Sequence, residues 1–128
     1  MKEPVWITRE VVLATQEELL TRFGGLPGLR DSGLLDSALH RPQQLLSYGS
    51  PDVFALAAAY ASGIIRNHPF LDGNKRIGFM AAYIFLGVNG LAVEVPEEEV
   101  VMQTLALAAG EIDEPAYARW LAGAVART

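Results

Sequence analysis

Cysteine is absent from this chain. Disulfide staples, thiolate nucleophiles and thiolate metal sites are therefore all excluded, and the composition fits a reducing cytoplasm. Positive charge is scarce: Lys and Arg number 10 against 15 Asp and Glu, a net charge of −5. That balance argues against broad electrostatic attraction to nucleic acid or to anionic lipid. No apolar run is long enough for a membrane. The best of them, "IGFMAAYIFLGVNGLAV", is broken by Gly78, Gly87, Asn89 and Gly90 and falls short of the ~20 apolar residues a span needs. The N-terminal "MKEPVWITRE" carries charge without an apolar core or cleavage site, so it does not read as a signal peptide. Alternation with a period of two, the mark of a strand, is almost missing.

What remains is a chain of 128 residues, 51% hydrophobic, long enough for one domain over residues 1–128 with a core of its own. Its segments read helix after helix. Thr8 suits an N-cap, and Val12, Leu13, Leu19, Leu20 and Phe23 follow at helical spacing. "GGLPG" at Gly24–Gly28 stops that helix. Asp31 or Ser32 can cap a second, with Leu34, Leu35, Ala38 and Leu39 on one face. Pro42 is expected to end it beside His40, leaving Arg41–Pro51 as a loop. From Asp52, "DVFALAAAYASGII" is apolar nearly all round, as in a helix enclosed by others. "RIGFMAAYIFLGVNG" reads as a second buried helix closed by Asn89-Gly90, and "LAVEV" as an extended connector. Pro96 with Glu97, Glu98 and Glu99 suits a helix start whose carboxylates stand solvated at the positive dipole end. A last helix follows Asp113, with Tyr117, Trp120, Leu121 and Ala124 on one face. The expectation is an all-α bundle of about six helices.

Between the two buried helices lies "HPFLDGNKR", His68–Arg76. Pro69 and Gly73 make His68–Gly73 a loop, and a helix beginning near Asn74 or Lys75 presents free N–H groups that suit an anion such as phosphate. Lys75 and Arg76 occupy its first turn, where cations are unfavourable unless an anion is near. An ordinary solvated surface is the plainer alternative for them. His68 can accept a proton at neutral pH. Asp72 is a hard oxygen ligand suited to Mg²⁺, or merely a turn-forming carboxylate. Asn74 is itself a good N-cap. Base, metal ligand, helix start and cations are the parts required for group transfer from a nucleoside triphosphate to a hydroxyl. No Walker-type or kinase glycine-rich loop is present.

The stretch "HPFLDGNKR" resembles the signature loop of the Fic/Doc family, His-Pro-Phe-x-Asp/Glu-Gly-Asn-Gly-Arg. Lys75 in place of the second motif glycine resembles the Doc (death-on-curing) branch, as does "RFGGLPGLRDSGLLDSAL". Gly73 is the Fic-like choice where Doc has alanine. The resemblance implies that His68 is the general base, Phe70 the anchor of the loop and Asp72 the Mg²⁺ ligand that also orients His68. It implies that Gly73, Asn74, Lys75 and Arg76 line the phosphate pocket, that Arg76 shares in catalysis, and that Arg66 assists nucleotide or substrate.

Through Lys75 it further implies a toxin of a type II toxin–antitoxin system. Such a toxin is a protein kinase that passes the γ-phosphate of ATP to a Ser or Thr hydroxyl, the family's known target being a threonine of elongation factor Tu. AMP transfer of the Fic kind is the alternative that Gly73 keeps open, and an idle antitoxin-binding module is the other. No Ser/Thr-x-x-x-Glu-Gly/Asn inhibitory pattern is found in the chain, so restraint is expected from a separate, Phd-like antitoxin. Gly24–Arg30 and Arg41–Pro51 are candidate contacts for the antitoxin or the target, the latter resembling the family's flap in position.

Overall fold

The fold is built around α3 (Val53–Asn67), as the all-round apolar sequence requires. Every residue from Leu56 to Ile64 is buried. In a computed structural model of the protein, which describes residues 3–125, α3 packs against α2 (Ser32–Tyr48), α4 (Asn74–Val88) and α6 (Glu114–Ala124). The outer helices are α1 (Arg9–Phe23), resting on α4, and α5 (Glu97–Ala109), resting on α4 and α6. Among the described residues the only β pairings are isolated bridges, one of which ties Val93 in the extended connector to Val125.

Four helices start where an oxygen-bearing side chain can cover an orphan N–H. Thr8, Asp31, Asp52 and Asp113 accept from Val11, Leu34, Ala55 and Ala116 respectively. The glutamates after Pro96 do open α5, but they are not all solvated: Glu99 is half-buried and accepts from Trp120 Nε1 at 2.8 Å. Tyr117, Leu121 and Ala124 form the buried face of α6, and Phe85 is fully buried on α4.

Pro42 does not end α2. The helix runs on to Tyr48, Pro42 lies buried inside it, and exposed His40 sits in its interior. An interior proline loses one hydrogen bond and costs about 3 kcal/mol. Burying its ring, and half-burying Leu45 and Leu46 against the core beyond it, offsets that cost. Arg41 further fixes this stretch, donating from Nη1 to Glu114 Oε1 at 2.6 Å. Most of the expected loop Arg41–Pro51 is therefore helix, and only the part beyond Tyr48 connects to α3.

Candidate active site

The HPFLDGNKR loop joins the end of α3 to the start of α4, the two most buried helices. Phe70 anchors it in the core at 2% exposure. Its backbone is paired along the segment Gly28–Asp31: Arg30 and Asp31 N–H both donate to Pro69 O (2.7 and 3.0 Å), and Leu71 N–H donates to Gly28 O (3.1 Å). The turn that follows α1 is thus committed, through its backbone, to holding the motif loop.

His68 caps α3 in the left-handed conformation, φ 55° and ψ 52°, with its side chain exposed. The helix α4 begins at Asn74, as the sequence suggested; Asn74 is buried and does not serve as the cap, and Gly73 occupies the cap position with φ 76°. The Asn74 amide grips the loop from inside. Its Oδ1 accepts from Phe70 N–H at 3.0 Å and its Nδ2 donates to Phe70 O at 2.9 Å. That pairing fixes which way the amide faces, and its other N–H meets His68 Nδ1 at 3.1 Å. An amide nitrogen only donates, so Nδ1 accepts and the neutral ring carries its proton on Nε2.

At the far end, the exposed Asp72 carboxylate accepts from Gly73 N–H at 2.9 Å and from Leu26 N–H at 3.3 Å. A Cβ at Gly25 would stand 2.9 Å from Asp72 Oδ2, so glycine there keeps the turn close to the carboxylate. Gln16 of α1, 4% exposed, donates from Nε2 to Asp72 O at 2.7 Å, while its Oε1 has no partner. A buried acceptor left unpaired costs roughly 1–3 kcal/mol.

No side chain caps the N-terminus of α4, so its first-turn N–H groups are left for another acceptor. Lys75 and Arg76 are exposed in that turn. Among the described residues neither makes an ion pair. Arg76 lies instead over the ring of Phe23, an exposed member of the apolar stripe, 4.2 Å from its centroid. Two unpaired cations at the positive end of a helix dipole form a place for an anion.

His68, Asp72, Gly73, Asn74, Lys75 and Arg76 all line one cleft of about 910 Å³. Arg66 does not. It is exposed on the last turn of α3 and donates to Ser62 Oγ at 3.2 Å. The cleft's other wall comes from Val93, Val95 and α5, including Val100, Val101 and Leu105, none of which the sequence singled out.

The sequence profile of the Fic/DOC family matches residues 6–86, from the approach to α1 through most of α4. The chain belongs to the Fic/DOC family. Among Fic/DOC relatives, it is 35% identical over 107 residues to the protein kinase doc of Escherichia phage P1, covering 83% of this chain and 84% of that protein. It is 38% identical over 109 residues to the toxin Doc of Mycolicibacterium smegmatis, covering 77% of this chain and 83% of that one. The α5 wall of the cleft lies beyond the Fic/DOC match. Among the described residues no helix is long and apolar enough to cross a membrane, and no cluster of three His, Asp or Glu side chains is set to hold a metal.

Proposed function

We propose that this protein is a Doc-type toxin, a cytoplasmic enzyme that transfers the γ-phosphate of ATP to a Ser or Thr hydroxyl of a target protein. The observation that carries the reading is the α4 N-terminus: uncapped, bearing unpaired Lys75 and Arg76, and opening with His68 and Asp72 onto one cleft. The relative described as a protein kinase supports phosphoryl rather than AMP transfer. So does Lys75, whose place in the first turn puts a cation where Fic enzymes leave room for phosphates. Gly73 does not weigh against this. Its φ of 76° and the Gln16 amide 3.3 Å from its missing Cβ give glycine a local reason, independent of which phosphate is transferred.

In this reading the α4 N–H groups, Lys75 and Arg76 hold the phosphates, and His68 takes the proton of the attacking hydroxyl. The new O–P bond forms as the bond from the γ-phosphorus to the β–γ bridging oxygen breaks, and ADP leaves. Asp72 fits Mg²⁺ as a single carboxylate ligand: it is exposed, and each oxygen keeps lone-pair capacity beside the N–H it accepts. Mg²⁺ is commonly held by one or two carboxylates with water and phosphate, and would offset phosphate charge there. Arg66, outside the cleft, fits a role toward the incoming protein better than toward nucleotide. Elongation factor Tu is the target to try first, and a Phd-like antitoxin the partner that would restrain the enzyme.

The test is purified protein with Mg²⁺, elongation factor Tu and ATP labelled at the γ- or the α-phosphate. Transfer of γ-label that vanishes in His68→Ala is the expected result. Transfer of α-label alone would make the protein an AMP transferase, and an unaltered His68→Ala would remove His68 from the chemistry.

A further inference from the structure

Two side chains outside the motif grip the motif loop, one at each end. At the His68 end, Arg30 donates from Nε to His68 O at 2.7 Å and from Nη2 to Asn67 O at 2.8 Å. These carbonyls close α3, where helical N–H partners run out and the dipole is negative, so a forked guanidinium matches both the geometry and the charge. What it holds needs holding: His68 is the only non-glycine residue with positive φ among the described residues. A residue with a Cβ stays in that region only where its surroundings enforce it. At the Asp72 end, Gln16 reaches out of α1 to donate to Asp72 O, and its amide packs on the Gly73 side. A leucine or methionine at this point of the α1 stripe would avoid the unpartnered Oε1. The amide earns its place through the carbonyl it holds rather than through stability.

We infer that Arg30 and Gln16 are positioning residues, Arg30 for the presentation of His68 and Gln16 for the alignment of Asp72 with the first turn of α4. The inference rests on reading the cleft as a phosphoryl-transfer site. Neither side chain need touch a reacting atom. Because they hold opposite ends of the loop, their losses have different signatures. Arg30 acts on the base and so on turnover. Gln16 acts on the phosphate- and metal-binding end and so on ATP affinity.

The experiment compares wild type, Arg30→Met, Arg30→Lys and Gln16→Met as full chains, by amide hydrogen exchange resolved over residues 66–74 and by steady-state γ-phosphate transfer. Arg30→Met is expected to speed exchange at the His68 end while α5 and α6 stay as in wild type. Its kcat falls about tenfold or more, since small misplacement of a reacting group is costly, while KM for ATP stays within about twofold. Arg30→Lys, with an ammonium in place of the fork, falls between. Gln16→Met unfolds no earlier than wild type, and raises KM for ATP about fivefold while moving kcat less. Exchange in the loop unchanged in both Met variants, losses that merely track the folded fraction, or one shared kinetic signature would each overturn the inference. If wild type transfers no phosphate at all, the functional reading fails, and the exchange data still decide whether the two side chains hold the loop.

Discussion

At the scale of single residues, Asn74 does the work of two. Its amide clasps both backbone groups of Phe70 and uses its last N–H on His68 Nδ1. The resting ring therefore presents an N–H, not a lone pair, at Nε2. For the proposed chemistry, the ring would have to free a lone pair, by opening the Asn74 contact or by exchanging its proton with water. Nitrogen chemical shifts of labelled histidine in the neutral form should show Nδ1 bare and Nε2 protonated in the nucleotide-free protein. Asn74→Asp replaces the donor by a carboxylate that accepts, and is expected to draw the proton to Nδ1. A ring whose tautomer ignores that change is not held as described. The motif named the residues of this contact from sequence, but not its direction. Asn74 was legible as a cap or as a lining residue of the pocket; it lines the cleft without capping, and its role as a buried clasp arises because the tight loop returns Phe70 to within its reach.

At the scale of elements, the sequence was clear where one local rule acted alone and misleading where packing outvoted it. Thr8 and Asp31 cap as the sequence suggested, and the helices expected from Asp52 and after Asp113 start there, each capped by that aspartate. The reading of Pro42 as a helix end failed because the ring itself is buried and Leu45 and Leu46 find the core beyond it. Leu46→Ala tests this. A half-buried leucine on a packed helix should cost about 1–2 kcal/mol, read from urea unfolding, together with helical Cα shifts over residues 43–47. A change below about 0.5 kcal/mol would return the segment to the surface loop first expected. Of the site, the motif was legible and its supports were not. Arg30 and Gln16 act through carbonyls far along the chain, and periodicity carries no sign of such bonds. One sign was present: Gln16 is a polar residue four positions after Val12 and three before Leu19, inside the apolar stripe of α1.

At the scale of the whole molecule, the helices share one core, and two tyrosines report on it. Tyr60 of α3 and Tyr117 of α6 are fully buried, and burial pushes each phenol up to about 12. Thr104 partly opposes this at Tyr117, through a hydroxyl contact of 2.8 Å. The Tyr60 hydroxyl approaches the Ile7 backbone without a well-formed hydrogen bond. A folded pKa above the unfolded one contributes stability that is fully present below about pH 10 and is lost as pH climbs toward about 12. Each unit of displacement corresponds to ~1.4 kcal/mol. Ionisation of these two phenols should therefore coincide with loss of helical circular dichroism in one cooperative step. Tyr60→Phe separates the causes, because it removes an ionisable group whose hydroxyl has no partner to leave behind. That variant is expected to match wild type at neutral pH within about 1 kcal/mol and to stay folded to higher pH. Unfolding at the same alkaline midpoint as wild type would mean that the Tyr60 phenol does not limit the fold, and that some other ionisation opens the core.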